Sequence, residues 1–225
     1  MSEKYVEAVR RAREQGPEAF QAWFDPAAGR GYWDFAVHVL TPGVCARLGR
    51  PYELTALEIG YGGGRLLSAA CSFFGEAIGV DVHEEEAEVR RFLEAEGKQN
   101  FRLVRGSGDA LPVEDASVDF VYSFIVLQHL PSFAALERYV AETARVLRPG
   151  GLAQLYFGRL GRPVGHVERP DVPANEVSLL VGAWTARRVA RRAGLRVVGS
   201  GRSFRHVPDG YPRRGGQRYL TLVRP

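Results

Sequence analysis

Four stretches of this 225-residue chain carry groups that could hold and act on a ligand. The first is Glu58-Ile59-Gly60-Tyr61-Gly62-Gly63-Gly64. Glycines let a backbone turn tightly and approach a bound group, offering N–H donors where a helix begins. The second is Asp81, 21 residues beyond Gly60. A carboxylate at that distance can accept from both hydroxyls of a ribose. The third is Gly108-Asp109-Ala110-Leu111, where Asp109 can accept from the exocyclic amine of an adenine. The fourth runs from Phe124 to Pro131 and holds Gln128 and His129. Histidine is the side chain best matched to general-base work near neutral pH.

The elements that must position these groups can be read from apolar spacing and from breakers. Residues 2–15 predict a helix closed by Gly16-Pro17. Residues 18–50 are aromatic and interrupted by Pro26, Gly29, Gly31, Pro42 and Gly43. They predict short helices anchored by Trp23, Phe24, Tyr32, Trp33 and Phe35. From residue 54 the pattern becomes regular. Strands are expected at 54–59, 77–80, 101–104, 118–123 and 152–157, and helices at 65–73, 84–96 and 133–147. A Gly/Pro/Arg-rich loop follows to about residue 175. Thr185 then caps a helix that Gly194 stops, and strands at 195–199 and 219–223 pair as an antiparallel hairpin. Such alternation predicts an α/β fold, a doubly wound parallel sheet with helices on both faces. In open sheets of this kind ligands bind beyond the carboxyl ends of the strands, where all four stretches fall.

Composition narrows the classes. Apolar residues make up 45% and charged residues 25%, ordinary for a globular chain and against disorder. The basic side chains are 28 Arg and 2 Lys, unevenly spread. Residues 1–158 carry 16 basic and 22 acidic side chains, whereas residues 159–225 carry 14 Arg and 4 acids. Cys45 and Cys71 both lie in apolar sequence, so reduced, packed thiols are expected, with no disulfide framework and no metal site. The start is polar and the apolar run near 118–130 is broken by Asp119, Gln128 and His129. A cytoplasmic protein outside the membrane is expected.

A dinucleotide fingerprint needs a third glycine at residue 65, which is Arg65. Residues 56–157 instead resemble the class I S-adenosylmethionine-dependent methyltransferases of small molecules. The resemblance rests on the glycine turn at 58–64, on Gly79-Val80-Asp81, on Gly108-Asp109-Ala110-Leu111-Pro112 and on Leu147-Arg148-Pro149-Gly150-Gly151, in the family's order and spacing. It implies a Rossmann-like seven-stranded sheet of order 3-2-1-4-5-7-6, with strand 7 antiparallel and a helical cap before it. The chain then divides into a cap or lid at 1–50, a cofactor-binding core at 51–157 and a substrate side at 158–225, all one domain.

The cofactor implied is S-adenosyl-L-methionine. Gly60, Gly62 and Gly64 would bring backbone donors to its methionyl part, with Tyr61, in place of the family's usual small residue or Cys, packing over that end. Asp81 would hold the ribose diol, and Val82 or His83 the adenine face. Asp109 and Ala110 would hold the adenine edge. Glu58 would order the turn or meet the ammonium group, and Gln128 would line the pocket. His129 would be the base for a hydroxyl acceptor or a lining residue beside it.

Tyr32, Trp33 and His166 are the candidates for substrate contact, and His206 and His38 read as solvent-facing and packing residues. A small metabolite is favoured, with Arg159, Arg162, Arg169, Arg202 and Arg205 leaving room for an anionic one. Arg187, Arg188, Arg191 and Arg192 read as a solvated helix face. A nucleic-acid methyltransferase, a non-catalytic cofactor-binding protein and a homodimer stay open.

Overall fold

The structure, a computed structural model, describes residues 3–24, 30–174, 176–205 and 213–225. Nine strands run in chain order as β1 (Thr55–Ile59), β2 (Glu76–Asp81), β3 (Phe101–Arg105), β4 (Val118–Ser123), β5 (Leu147–Gly158), β6 (His166–Glu168), β7 (Leu179–Val181), β8 (Arg196–Arg205) and β9 (Arg213–Val223). Seven of them form one sheet in the order β3-β2-β1-β4-β5-β9-β8. The first five are parallel, and β9 runs antiparallel between β5 and β8. This is the expected topology, with β8 and β9 as its sixth and seventh strands. Central strands are buried on both faces, which is why β1 and β4 read as continuous apolar runs rather than alternations.

Each face has its own helices. Leu57, Ile59, Val121, Leu155 and Leu220 pack under α7 (Phe133–Val146) and α8 (Ala183–Arg192). The opposite face, with Ala56, Phe120, Tyr122 and Tyr156, packs against α5 (Arg65–Cys71) and the N-terminal helices. Those helices are α1 (Glu3–Glu14), α2 (Pro17–Phe24), α3 (Arg30–Asp34) and α4 (Pro42–Leu48). α3 runs into a π-helical turn, Phe35–Val39, that buries His38 against Phe124 with ring centroids 4.2 Å apart. The two-residue alternation of the strands therefore sorts side chains between two cores.

Five local expectations need correction. The helix after residue 182 is capped by Gly182, not Thr185. Thr185 Oγ1 instead accepts from Gly165 N at 2.8 Å and ties down the preceding loop. That loop contains the short antiparallel ladder of β6 and β7, which no periodicity announced because three residues are too few to show one. The final strands extend well beyond 195–199 and 219–223, since Arg- and Gly-rich sequence hides a ladder that backbone hydrogen bonds sustain. Cys45 is exposed and only Cys71 is buried, where burial pushes its thiol up to about 12. Arg188, Arg191 and Arg192 face solvent as expected, but Arg187 is half-buried. No helix among the described residues is long and apolar enough to cross a membrane. His206 lies outside the described residues, as does the side chain of Arg205.

Candidate functional site

β1 ends at Ile59 and the chain turns through three left-handed glycines, with φ of 80° at Gly60, 52° at Gly62 and 86° at Gly64. A Cβ on Gly60 would stand 2.5 Å from Val126, and one on Gly62 2.7 Å from the Phe24 ring. Both φ and space therefore demand glycine. The N–H groups of all three are already committed, to Val80 O at 2.7 Å, to Asp81 Oδ2 at 2.8 Å and to Tyr61 O at 2.8 Å. The glycines shape the wall of the site; in this conformation they are not its donors. Tyr61 turns its ring into the core against His83 and Gly79, not over the cavity.

Asp81 closes β2 and is buried. One oxygen accepts from Val82 N at 2.7 Å. The other accepts from Gly62 N and from the Tyr5 hydroxyl, at 2.8 and 3.4 Å. One acceptor position of Oδ2 thus already holds a hydroxyl, brought by α1. His83 is a strut beneath the turn. Its Nε2 donates to Gly62 O at 3.0 Å and its Nδ1 accepts from Glu85 N at 3.2 Å, which leaves the ring no polar atom to spare. Asp109 is half-exposed, accepting from Ser107 Oγ at 2.8 Å and pairing with Arg138 at 3.3 Å, with Ala110 exposed beside it. Burial and the charges of Asp81 and Asp109 push the Tyr139 hydroxyl up.

A cavity of about 360 Å³ opens beside the glycine turn, within the size range of small-molecule sites. Its floor is Glu58, Gly60 and Gly62, and its far wall is the loop after β4. Burial pushes Glu58 up to about 8, against the pull of the Tyr122 hydroxyl at 3.1 Å and of Arg65. Arg30 and Arg65 also line the cavity. Asp34 is held between them, 3.3 Å from Arg30 Nε and 2.5 Å from Arg65 Nη1, with His38 Nδ1 at 3.4 Å.

In the wall, Ile125 has φ of 61°, a costly conformation for a β-branched residue. Its N–H is held by Gln217 Oε1 of β9 at 3.3 Å. The strain turns the chain so that Val126 and His129 face the cavity. His129 Nδ1 lies 2.7 Å from Glu176 O, a carbonyl that can only accept, so Nδ1 carries the proton. Nε2 is then a lone-pair acceptor, now receiving the Gln128 amide at 3.0 Å. Burial lowers the His129 pKa and the Glu176 bond offsets part of that, so the neutral ring prevails near pH 7.

The structure brings Glu58, Gly60, Tyr61, Gly62 and His129 to one cavity, and sets Asp81, Val82, His83 and Gly64 immediately behind it. Asp109, Ala110 and Gln128 are not on its lining. The expected substrate contacts go elsewhere. Tyr32 lies on the outside of α5 near Ser72 and Lys98. Trp33 packs edge-on against His38, and His166 stacks on Phe133 at 4.1 Å. Tyr5, Phe24, Arg30, Ile125 and Ala174 line the cavity instead. The aromatic cluster at 20–35 signalled Phe24 and the stretch from Phe124 to Pro131 signalled Ile125, while no motif singled out Tyr5, Arg30 or Ala174. Among the described residues no cluster of His, Cys, Asp and Glu could hold a metal.

A family model described as a methyltransferase domain matches residues 57–155. An uncharacterized methyltransferase of Mycobacterium ulcerans (strain Agy99) is 40% identical over 144 residues, 62% of this chain and 51% of that protein. A ubiquinone biosynthesis O-methyltransferase of Mesorhizobium japonicum is 26% identical over 180 residues, 80% of this chain and 58% of that protein. The chain spans about half the length of the curated relatives it matches first. In fold it is similar to a SAM-dependent methyltransferase from Aquifex aeolicus, with a TM-score of 0.61, 18% identity, and coverage of 92% of this chain and 97% of that one.

Proposed function

We propose, from the premise that residues 57–155 are a class I S-adenosylmethionine-dependent methyltransferase domain, that this chain methylates a hydroxyl oxygen of a small, anionic metabolite. One observation carries the acceptor: the cavity holds His129 in the tautomer whose Nε2 lone pair can take a proton. The name of the Mesorhizobium relative, an O-methyltransferase, agrees with it.

When bound, the cofactor supplies a methyl group on a positively charged sulfur. The residues present fit it. Asp81 already accepts a hydroxyl, which is what a ribose diol offers. The glycine turn admits no side chain beside the cavity, where a Cβ on Gly60 or Gly62 would run into Val126 or Phe24. Glu58 is a buried carboxyl that a nearby cation would ionise. Asp81 and Val82 would hold the ribose side, Asp109 and Ala110 the adenine edge, and Glu58 with the turn the methionyl end. Arg30 and Arg65 give the cavity an anion-attracting wall. Tyr5 and Phe24, from the N-terminal helices, would act as its cover and exclude water. With the acceptor hydroxyl hydrogen-bonded to His129 Nε2, the ring takes the proton as the oxygen gains its methyl group, and the imidazolium then loses it to solvent.

The test incubates the protein and an isotopically labelled methyl donor with a small-molecule cell extract, followed by mass spectrometry. A labelled, acidic O-methyl product is expected. Label found only in RNA or DNA, or none with the cofactor demonstrably bound, would reject the reading.

A further inference from the structure

On the α8 side of the sheet, at the same strand ends as the cavity, three arginines meet. Phe157 of β5 is in register with Arg218 of β9, and Arg218 is in register with Arg202 of β8. Arg159 follows β5 two residues after Phe157, so it projects to the same face and reaches Arg218 diagonally. Arg187 of α8 completes the group and donates to Ser200 Oγ at 2.6 Å. Gln217, one residue from Arg218, points to the other face and holds the cavity wall. None of the four arginines lines the cavity, so this cluster is a separate place.

Like charges directly opposite on neighbouring strands destabilise a sheet. These are half-buried, and none has a carboxylate within ion-pair distance among the described residues. The Nε atoms of Arg159, Arg202 and Arg218 are each buried without an acceptor. Arg202 donates from Nη2 to Gly215 O at 3.1 Å, which aims its fork without neutralising it. Burial, then the charges of Arg159, Arg202 and Arg187, lower the Arg218 pKa. A folded protein that gathers guanidinium groups this way lacks an anion, and forked donors on converging side chains match a tetrahedral oxyanion.

We propose that Arg159, Arg202 and Arg218, with Arg187 at the rim, bind a phosphate group on the α8 face of the sheet. That group is either part of the methyl acceptor or a free phosphate. Binding itself does not depend on the function proposed above.

Calorimetry and thermal unfolding of the full chain with inorganic phosphate, against chloride at equal ionic strength, test it. Millimolar or tighter binding and a rise in Tm with phosphate are expected. In the Arg159→Gln/Arg218→Gln variant that rise should vanish and affinity should fall by about tenfold or more. S-adenosylhomocysteine should bind the variant as it binds the natural protein, so a failure here and a failure of the methyltransferase reading can be told apart. Phosphate that competes with formation of the labelled product assigns the group to the acceptor, and phosphate that binds without competing assigns it to a free ligand. No phosphate effect beyond chloride, or an equal effect in the variant, overturns the proposal. So does phosphate binding that emerges only in Asp209→Asn, which would give the cluster to that carboxylate.

Discussion

His129 and Glu58 sit on one cavity and are driven by burial to opposite ends of neutrality. Burial lowers the His129 pKa, so its base form persists below the ordinary histidine value of about 6.5. Methyl transfer should therefore lose rate only as pH falls below that value. His129→Ala should slow it ~10²–10⁴-fold and flatten that acid limb, with cofactor affinity unchanged; pH–rate profiles of both proteins check this. Glu58 is raised, so the folded state holds its proton up to about pH 8. For a raised pKa the stabilising contribution is full below the unfolded value and is lost as pH rises through the folded one. Glu58→Gln should accordingly match the natural protein near pH 5 and exceed it by ~2–4 kcal/mol near pH 8, read from denaturant unfolding at both pH values. Chain position alone put His129 on the cavity, because the loop after the fourth strand opens at the ligand edge of such a sheet. Its working nitrogen was decided by Glu176, 47 residues away.

At the scale of elements, α1 is the piece that changes the site. Residues 3–14 form an ordinary amphipathic helix, with Val9 and Ala12 buried. What matters is that Tyr5 reaches Asp81, 76 residues on, and occupies an acceptor position that a ribose hydroxyl would use under the proposed function. Tyr5→Phe removes the competing hydroxyl and keeps the ring. S-adenosylhomocysteine should then bind ~3–10-fold tighter by calorimetry, the worth of one hydrogen bond released. Unchanged affinity would mean that the hydroxyl keeps its place beside the ligand. Tyr32 and Trp33, expected as substrate contacts, lie off this cavity for an elemental reason too. The turn from α3 into the π-helical segment points those rings away and turns His38 and Asp34 inward.

Over the whole molecule, the N-terminal cap is bound to the sheet by a buried polar network. The His38 carbonyl accepts from Gln154 Nε2 at 3.2 Å and from the Tyr156 hydroxyl at 3.1 Å. Gln154 in turn accepts from Thr221 Oγ1 at 2.7 Å. Three segments far apart in sequence meet at buried residues, where an unmet polar atom costs most. Thr221→Val keeps the shape and strands the Gln154 oxygen. It should lower stability by ~1–3 kcal/mol, a fall in Tm of ~2–4 °C for each kcal/mol, measured by thermal unfolding. The charge division is also a property of the whole. The acids of the first 158 residues are spread along strand ends and helix surfaces, whereas some of the later arginines converge on one face across β5, β8, β9 and α8.

The parallel core and the glycine turn were legible in the sequence, because each rests on a local rule, whereas the strand order came only with the family resemblance. Apolar runs of five or six residues make strands such as β1 and β4, Gly60, Gly62 and Gly64 supply the left-handed turn, and Asp81 falls at the next strand's end. The cover of the site, the proton-accepting nitrogen of His129 and the company kept by Arg218 were not legible. Tyr5 on Asp81, Glu176 on His129 and Arg202 opposite Arg218 are pairings between segments whose sequences carry no trace of one another. Local spacing dictates which way a side chain faces on its own element, and only the packing of elements decides what it meets there.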